Sequence, residues 1–533
     1  MGTNKLIFKN QYIINEISKI DQLAKNYNKN NFYNFIKSYK IDIQKDQDII
    51  QPFTSDWSNI KGGYADFLLR PKTSKECAII LRTCEKCKIP ITISAGQTNL
   101  TGSATPYGGV VVSTNNLILP KALVNIDNQE VTSAIGIPLE VLRNDVIKQS
   151  NGTLHYPVDP TSRNDAYVGG TIACNASGFV PGERGSTRFW VKEIEFILTN
   201  GYNITIKRGD FISFRGNFIL YCDKQEIILP IPRYKRPLIK NASGPYSSKN
   251  GEIDFIDLII GSEGIFGFTS KCKLKLESKP HKYIDLFLRL KNEKQAISMH
   301  HFLYSSKHIT QNNVTALEYF GYNCQNYMKH KDFLFQNKHE VGVYLQIPIL
   351  ETEEFDVKLN EWARLLMKFN KNINFDNIII LNDSITWKKF FEARHSIPEN
   401  ALSKTKEING ISIITDTIVP PDKLEVYLNT VHLKLKNKKI EYLLFGHLGD
   451  CHLHFHLIPS KQQEKECLRI YDFMIDLSSK LGGIYSAEHG TGKRKRADFI
   501  KCFGENAEKM ILKTKKAIDK NLILNQGNVI KIT

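Results

Sequence analysis

The residues best able to do chemistry lie in a stretch with four histidines, Phe445–His456, and in a later adjacent pair, Glu488 and His489. Within the stretch, His452–Leu457 alternates strictly between histidine and apolar residues, so a strand there projects three imidazoles to one face. Burying three imidazoles without partners is costly, because each ring nitrogen needs a hydrogen bond or a ligand. A divalent metal bound by two histidines and a carboxylate removes that cost and leaves positions open for a substrate. An ordinary strand with solvent-facing histidines is the alternative, and the two glycine-flanked clusters favour the metal site.

Three loops of small residues, each beside an apolar strand, form a second candidate site. In the first loop, small side chains would let backbone N–H groups approach a pyrophosphate, and Thr98, Asn99 and Thr101 add side-chain donors. Three such loops together indicate a large, flat ligand that spans several strand ends. The loops are Ser94–Gly102, His155–Ser162 with Gly169–Gly178, and Asp257–Thr269.

Two common nucleotide motifs are excluded. No G-x-G-x-x-G follows a strand as a dinucleotide-binding fingerprint requires. Gly490–Arg494 resembles a phosphate-binding loop, but Ala487 stands where its first glycine belongs, and Arg494 replaces the Ser/Thr. NAD and ATP are therefore not the expected cofactors.

The composition fits a chain of two or three domains, with 533 residues of which 41% are hydrophobic. The net charge of +17 is spread along the chain, without the concentrated basic face that nucleic acid requires, so we expect no nucleic-acid partner. The N-terminus shows no secretory signal, and no apolar run reaches membrane-spanning length. We expect a cytoplasmic protein, and leave open a peripheral contact at the inner membrane face and a homodimer.

The elements that must position the candidate residues follow from the hydrophobic spacing. Residues 1–45 are rich in Lys and Asn and predict an N-terminal helical extension. A β-α-β unit follows, and its helix carries the only C-x-x-C, Cys84–Cys87; we interpret Cys77 and Cys84 as small buried residues rather than redox groups. From about residue 281 the strands and helices become longer. The predicted elements include strands at Ala65–Arg70, Pro90–Ser94 and Ile440–Phe445, and helices at Thr73–Lys88, Phe355–Phe369 and Ala507–Asp519.

The order of the motifs resembles the flavin-dependent oxidoreductases of the vanillyl-alcohol-oxidase type, in the branch with the FAD-linked oxidase C-terminal domain. That branch includes D-lactate dehydrogenase, the glycolate oxidase FAD subunit and D-2-hydroxyglutarate dehydrogenase. Seven collinear motifs carry the resemblance from about residue 50 onward: Ser94–Pro106, Pro157–Gly178, Lys240–Gly244, Gly261–Gly267, Gly446–His454, Ser486–Gly492 and Leu524–Gly527.

The resemblance implies an α+β fold. A two-part FAD-binding domain of the p-cresol-methylhydroxylase (PCMH) type would occupy residues 46–280. An α/β cap domain with an antiparallel sheet would occupy residues 281–499 and carry the metal site. A C-terminal helix and tail, residues 500–533, would return to the flavin.

The resemblance implies FAD as the cofactor. The loop Ser94–Gly102 has no His or Cys for a flavin linkage, so we expect FAD to be held non-covalently. The residues expected to bind it are Ala95, Gly96, Gln97, Thr98, Asn99, Leu100, Thr101, Asp159, Ser162, Gly169, Gly170, Asn175, Gly178, Glu263, Gly264, Gly267 and Asn525.

The resemblance also implies that His447, His454 and Glu488 hold a divalent metal such as zinc. A small anionic D-2-hydroxy acid, with D-lactate favoured, would chelate that metal, which would lower the pKa of the hydroxyl group. His489 would act as general base while hydride passes from Cα to the flavin, which yields the 2-keto acid. Arg394 matches an arginine that clamps the substrate carboxylate. The next electron acceptor, whether a quinone, a cytochrome or an electron-transfer flavoprotein, is left open.

Several positions depart from the family pattern. Ser94–Gln97 stands in place of Arg-Gly-Gly-Gly, and His456 in place of an Asn. Cys451 and His452 replace the common Gly-Asn, so we expect His452 to support the site without binding the metal, and His452→Asn to be tolerated. Ile413–Thr415 lacks the lysine that the hydroxyglutarate enzymes use for a second carboxylate, which counts against a dicarboxylate substrate.

Three alternatives to a D-lactate dehydrogenase stay open. A glycolate oxidase subunit differs only in substrate. An alkylglycerone-phosphate-synthase-like flavoenzyme shares the fold, exchanges an acyl for an alkyl group without net redox, and lacks the set of two histidines and a glutamate. In a non-catalytic homologue, Glu488 and His489 would be expected to change first, and both are present.

Overall fold

The computed structural model describes residues 5–223, 225–309 and 313–532. Its N-terminal part runs to about residue 280, and short 3-10 turns lie between several of its elements. In chain order these elements are β1 Leu6–Phe8, α1 Ile17–Lys25, α2 Lys29–Ser38, β2 Asp42–Gln44, α3 Gln47–Ile50, β3 Phe67–Arg70, α4 Ser74–Cys87, β4 Ile91–Ser94, β5 Val110–Ser113, β6 Leu123–Asn125, β7 Glu130–Ala134, α5 Leu139–Gln149, β8 Leu154–His155, α6 Val168–Cys174, α7 Thr187–Trp190, β9 Val191–Ile197, β10 Asn203–Lys207, β11 Asn217–Cys222, β12 Gln225–Pro230, α8 Phe255–Ile259, β13 Phe268–Lys275 and β14 Glu277–Ser278.

The strands of this part form two larger sheets and two small ones. The first sheet has the order β2-β3-β5-β4, in which β3, β5 and β4 run parallel. The second is antiparallel with the order β10-β9-β13-β7-β6. The small sheets are β1-β11-β12 and β14-β8.

The predicted β-α-β unit is confirmed, with α4 joining β3 to β4. The helix begins where the Thr73 side chain accepts a hydrogen bond from the backbone N–H of Glu76, and it ends at Lys88, which has a left-handed φ of 55°. Cys77 and Cys84 are buried in the core beneath the first sheet, as free thiols. They pack there as small apolar residues, as predicted.

The segment expected to be a separate helical extension is more closely integrated than predicted. It contains α1 and α2, but β1 pairs parallel with β11, and β2 pairs antiparallel with β3. Ile20 and Leu23 of α1 are buried, whereas Ile14 precedes the helix and is exposed. The strands were missed because each is only three residues long, too short for an alternating pattern to stand out.

The C-terminal part is built on one seven-stranded sheet with the order β18-β15-β17-β16-β20-β21-β19, in which every pairing is antiparallel. Apolar cores lie on its two faces. Its elements are β15 Lys282–Leu290, α9 Glu293–Ser305, β16 Ala316–Phe320, α10 Lys331–Leu334, β17 Val341–Ile349, α11 Phe355–Phe369, β18 Ile378–Ile380, α12 Ser384–Glu407, β19 Ile413–Ile414, α13 Leu424–Asn437, β20 Tyr442–His447, β21 His452–Leu457, α14 Glu464–Lys480, α15 Arg496–Phe503 and α16 Glu505–Ile518.

The histidine-rich stretch folds into the hairpin β20–β21. A tight turn over Leu448–Asp450, with Cys451 at a left-handed φ of 58°, reverses the chain. The pairing register then places His447 directly opposite His452. Strand β21 has the bounds that the alternation predicts, but both of its faces are buried, because the sheet is covered on both sides.

The chain returns to the N-terminal part after α16. The backbone N–H of Ile91 donates to the carbonyl of Ile523, and the N–H of Asn525 donates to the carbonyl of Ile91. The tail is thereby attached alongside β4 of the first sheet. Within the described ranges, every helix is too short or too polar to cross a lipid bilayer.

Candidate active site

A cavity of about 570 Å³ is bounded by the small-residue loops of the N-terminal part and by a few residues of the C-terminal part. Most residues predicted to bind FAD line it: Ala95, Gly96, Gln97, Thr98, Asn99, Leu100, Ser162, Gly169, Gly170, Glu263, Gly264, Gly267 and Asn525. Residues that sequence analysis did not single out also contribute, among them Trp57, Ile135, Cys174 and Ser177. The C-terminal part adds Pro398, Leu402, Glu488 and His489.

The first loop presents its backbone to the cavity. The backbone N–H groups of residues 96–100 donate no hydrogen bond to any described residue, although residues 96–99 are half-buried. Gly96 packs so closely that a Cβ atom there would lie 1.9 Å from the carbonyl oxygen of Asp165. Unpaired donors in a half-buried loop suit an anionic group such as a pyrophosphate, so this loop fits FAD.

The tail residue Asn525 joins two walls of the cavity. Its side-chain oxygen accepts a hydrogen bond of 2.8 Å from the backbone N–H of Ile93, and its amide donates one of 2.9 Å to the carbonyl of Glu263. A Cβ atom on Gly264, whose φ is +68°, would lie 2.4 Å from the same amide nitrogen. The position therefore requires glycine, both for its backbone conformation and for its space.

Four residues predicted to bind FAD do not line the cavity. Thr101 is fully buried, and its hydroxyl lies within hydrogen-bond distance of two acceptors, Asn99 Oδ1 and the carbonyl of His489. Asp159 is turned to the ion pairs that it forms with Arg143 and Arg163. Both residues shape the loops instead of facing the cavity.

The other two are Asn175 and Gly178. Asn175 ends α6 in a left-handed conformation, with φ of 50°, and its side-chain oxygen accepts from the backbone N–H of Arg188. Gly178 packs against Asp159, whose carbonyl oxygen would lie 2.0 Å from an added Cβ atom. Asn175 and Gly178 are therefore explained by the backbone conformation and close packing at their positions. From the sequence alone, such residues cannot be distinguished from residues that contact a cofactor.

Beside the cavity, the predicted metal ligands His447, His454 and Glu488 lie together with a fourth residue, His452. One nitrogen or oxygen from each of the four lies within 4.8 Å of the corresponding atom of every other. His452 is fully buried, and neither of its ring nitrogens has a hydrogen-bond partner among the described residues. Imidazole nitrogen and carboxylate oxygen are ligands that zinc and the neighbouring divalent metals accept, so the donor set fits such an ion.

Each of the three imidazoles has one ring nitrogen within 3.1 Å of an oxygen atom outside the cluster. His447 Nδ1 lies 2.6 Å from Glu318 Oε1, and His454 Nδ1 lies 2.9 Å from the carbonyl oxygen of Thr415. His452 Nε2 lies 3.1 Å from Asp416 Oδ1, at the distance but not the alignment of a hydrogen bond. Such contacts leave the second nitrogen of each ring available for a ligand bond, as is usual for metal-binding histidines.

Glu318 is buried between His447 and Arg394. Burial would raise its pKa, but His447 and Arg394 outweigh that effect and lower the pKa to about 2. Arg394 lies 3.1 Å from Glu318 and its guanidinium lies over the ring of Phe179, 4.4 Å from the ring centre. Arg394, predicted to clamp the substrate carboxylate, is therefore next to the cluster but already paired, and it does not line the cavity.

Asp416 holds the turn that carries Glu488 and His489. Its carboxylate accepts hydrogen bonds from the backbone N–H groups of both residues, at 3.2 and 3.1 Å, and from the Ser486 hydroxyl and the Lys495 ammonium at 2.7 and 2.8 Å. Burial would raise the pKa of Asp416, but His489 and Lys495 outweigh it, so the pKa lies well below the usual range. The permanent carboxylate can therefore position the pair.

His489 faces the cavity from the same turn. Its ring stacks on that of His454, with centroids 5.9 Å apart and planes 9° from parallel. Burial lowers the pKa of His489, while Asp416 opposes that effect and Lys495 reinforces it. The neutral ring needed for a general base is thus favoured near neutral pH.

Several residues of the site were not predicted. Glu318 could have been found, because it is a lone carboxylate in the otherwise apolar segment Ala316–Phe320. Lys240 lies in the motif Lys240–Gly244, but no role was predicted for it. Its buried ammonium pairs with Asp450 and lies 3.8 Å from Glu488. Asp416 had no signal of its own in the sequence.

Two family models match the chain. The model for an FAD binding domain matches residues 65–207, and the model for the C-terminal domain of FAD linked oxidases matches residues 328–529. The first match covers the first two cavity loops, and the second covers the four-residue cluster and the tail. FAD is therefore the cofactor that this pair of domains indicates.

Curated relatives align with almost the whole chain. D-lactate dehydrogenase of Anaerostipes hadrus is 25% identical over 499 residues, which cover 90% of this chain and 93% of that protein. A probable mitochondrial D-2-hydroxyglutarate dehydrogenase of Oryza sativa subsp. indica is 25% identical over 496 residues, which cover 92% and 79%.

Among solved structures, p-cresol methylhydroxylase with bound substrate superposes with a TM-score of 0.67 at 13% identity, covering 97% of this chain and 98% of that one. The expected fold of the PCMH type, with an antiparallel sheet in the second part, is confirmed. The chain belongs to the FAD-binding oxidoreductases in which a PCMH-type domain is joined to the C-terminal domain of FAD-linked oxidases.

Proposed function

We propose that the protein is an FAD-dependent dehydrogenase that oxidises a D-2-hydroxy acid, with D-lactate favoured, to the 2-keto acid. The observation that carries this proposal is the meeting of two sites at one turn. Glu488 belongs to the buried cluster of three imidazoles and a carboxylate, and its neighbour His489 opens on the cofactor cavity. His489, which can accept a proton, thus lies between the cavity for FAD, the electron acceptor, and the cluster that would hold the cation.

The two bound groups supply complementary chemistry. FAD accepts two electrons with a hydrogen from Cα, which the protein's own side chains cannot do. A divalent ion held by His447, His454 and Glu488 supplies positive charge for the hydroxyl and carboxylate oxygens of the substrate. The protein contributes the base, the orientation and the exclusion of water.

His489 removes the hydroxyl proton in this proposal. The hydroxyl proton would go to the ring nitrogen of His489 that faces the cavity, and the hydrogen on Cα would leave with its electron pair as hydride to bound FAD, so that the substrate carbon loses the two electrons that FAD gains. Asp416 fixes the other side of the ring, with its Oδ2 3.5 Å from His489 Nδ1. Reoxidation by a quinone, a cytochrome or an electron-transfer flavoprotein completes the turnover.

A monocarboxylate is the preferred substrate class. The segment Ile413–Thr415, which runs past His454, provides no cation for a second carboxylate. Arg394, the proposed carboxylate clamp, lies one helical turn before Pro398, and Pro398 lines the cavity. Its partner Glu318 must then share Arg394 with the substrate.

Anaerobic mixing with a panel of D- and L-2-hydroxy acids tests the proposal. We expect the visible flavin absorption to be lost with D-lactate and not with L-lactate, and the flavin to be released into the supernatant on acid precipitation. Faster reduction by glycolate would favour the glycolate oxidase alternative. Protein loaded with FAD and metal that no 2-hydroxy acid reduces would contradict the proposal and favour a redox-neutral reaction of the alkylglycerone-phosphate-synthase kind, or a non-catalytic homologue.

A further inference from the structure

We propose that His452 is a fourth protein ligand of the metal ion, so that three imidazoles and one carboxylate hold it. The inference rests on the proposed function only in requiring that the cluster binds a divalent cation. It replaces the expectation that His452 supports the site without binding the metal.

The hairpin geometry places His452 among the ligands. His447 and His452 are paired across β20 and β21, and His454 lies two residues further along the same strand, hence on the same face. The ring centroids of His452 and His454 are 4.4 Å apart, and those of His447 and His452 are 5.6 Å apart. An ion reached by His447 and His454 is therefore within reach of His452 as well.

The contacts of His452 match those of the two expected histidine ligands. In all three rings one nitrogen lies within 3.1 Å of an oxygen outside the cluster; in His447 and His454 the two atoms are hydrogen-bonded, and in His452 the oxygen is Asp416 Oδ1, which is close but not aligned. The other nitrogen, Nδ1, is 3.7 Å from Glu488 Oε1, too far for a hydrogen bond. A fully buried ring nitrogen without a partner is costly, and a bond to the shared cation would remove that cost.

His456 lies on the same strand as His452 but outside the cluster, so the contacts of its ring nitrogens can be compared with those of His452. Its Nδ1 also lacks a partner, but its Nε2 is bound by the Ser412 hydroxyl at 2.8 Å, and it does not belong to the four-residue cluster. His456 is also the second position where this chain has His in place of Asn. It is therefore the matched control for His452.

A fourth protein ligand changes which ions the site can use. A strictly four-coordinate ion would be fully occupied by protein and could not bind a substrate. An ion that takes five or six ligands keeps at least one position open. The site is therefore suited to an ion that accepts more than four ligands.

Cobalt(II) is the probe for the test. The full-length wild type, H452N and H456N, each with bound FAD, are freed of metal, loaded with one equivalent of Co²⁺, and studied by X-ray absorption to count imidazole ligands. Competition with a chelator gives the Co²⁺ affinity of each protein. The FAD content shows that each variant has folded.

We expect three imidazoles in the wild type and in H456N, and two in H452N. The Co²⁺ affinity of H452N should fall by more than about 100-fold, because loss of partners that only orient ligands already costs about 10–100-fold. Two imidazoles in the wild type would overturn the inference and leave the proposed function intact, and this spectrum decides the question even if H452N does not fold. A wild type that binds no Co²⁺ would overturn both.

Discussion

The cofactor cavity and the four-residue cluster meet at one turn but are built in opposite ways. The cavity is lined by glycines and small side chains of the first loop, of helix α6 and of the turn between α8 and β13, and the first loop adds unpaired backbone N–H groups. The cluster is formed by three histidines of one hairpin and by Glu488, and His447 and His454 are hydrogen-bonded to acceptors from other segments of the chain. Removing a side chain should therefore have little effect on FAD binding in the cavity and a large effect on metal binding in the cluster. Adding an atom should have a large effect in the cavity and a small one in the cluster.

The largest expected effect comes from removing the metal. Extensive dialysis against a chelator should abolish flavin reduction by D-lactate while FAD stays bound, because the residues predicted to bind FAD are not those predicted to hold the metal. Flavin absorption, metal content and reduction rate are measured on the same sample, and adding back the ion that the metal analysis identifies should restore the rate. Full activity in protein shown to contain no metal would contradict the division into two sites.

Next in size are the two residues of the turn. His489→Ala should keep metal and FAD but lose about 10²–10⁴-fold in the rate of flavin reduction, the usual contribution of a positioned base. Glu488→Ala should instead lose metal. His330→Ala, which removes an exposed histidine paired with Glu392, is the control and should behave as wild type. If His489→Ala loses metal and Glu488→Ala retains it, the two roles must be exchanged.

A smaller effect is expected when a supporting carboxylate is neutralised. Glu318→Gln keeps the shape but weakens the acceptor for His447 Nδ1, so metal affinity should fall by about 10–100-fold. Glu392→Gln is the matched control, because Glu392 also contacts a histidine, with His330 Nε2 at 2.7 Å, but lies on the surface. The metal affinity of this variant should equal that of the wild type. Equal metal affinities in the two variants would show that Glu318 does not orient the ligand.

The smallest effects concern the cavity. Gly96→Ala should weaken FAD binding by about 1–3 kcal/mol, because its Cβ atom would meet the Asp165 carbonyl at 1.9 Å and displace the loop. Thr98→Ala in the same loop removes only side-chain atoms and should cost less than about 1.5 kcal/mol. Titration of the FAD-free proteins with FAD measures both. A larger loss for Thr98→Ala than for Gly96→Ala would show that side chains, not backbone, hold the cofactor.

Local features of the fold were predictable from the sequence. The spacing of Cys77, Ile80 and Cys84 predicted α4 within one residue at each end, and Phe355–Phe369 matches α11. Strict alternation predicted β21 with its observed bounds. These signals succeed because the determining contacts lie within a few residues of one another along the chain.

The supporting residues of the cluster were not predictable in the same way. Glu318 meets His447 from 129 residues earlier in the chain, and Asp416 meets His489 from 73 residues earlier. Only the pairing of β16 with β20 brings Glu318 beside His447. Similarly, comparison with the family pattern excluded His452 from the predicted metal ligands, whereas the register of the hairpin places it beside His447.

Asn525 has a consequence for how the protein is made. It closes the cofactor cavity by bonding to Ile93 and to Glu263, which lies 262 residues earlier in the chain. During synthesis the loops around Gly96 and Gly264 leave the ribosome long before this asparagine does. The cavity therefore lacks one wall until the tail has been translated, and FAD can be enclosed in its final form only after that.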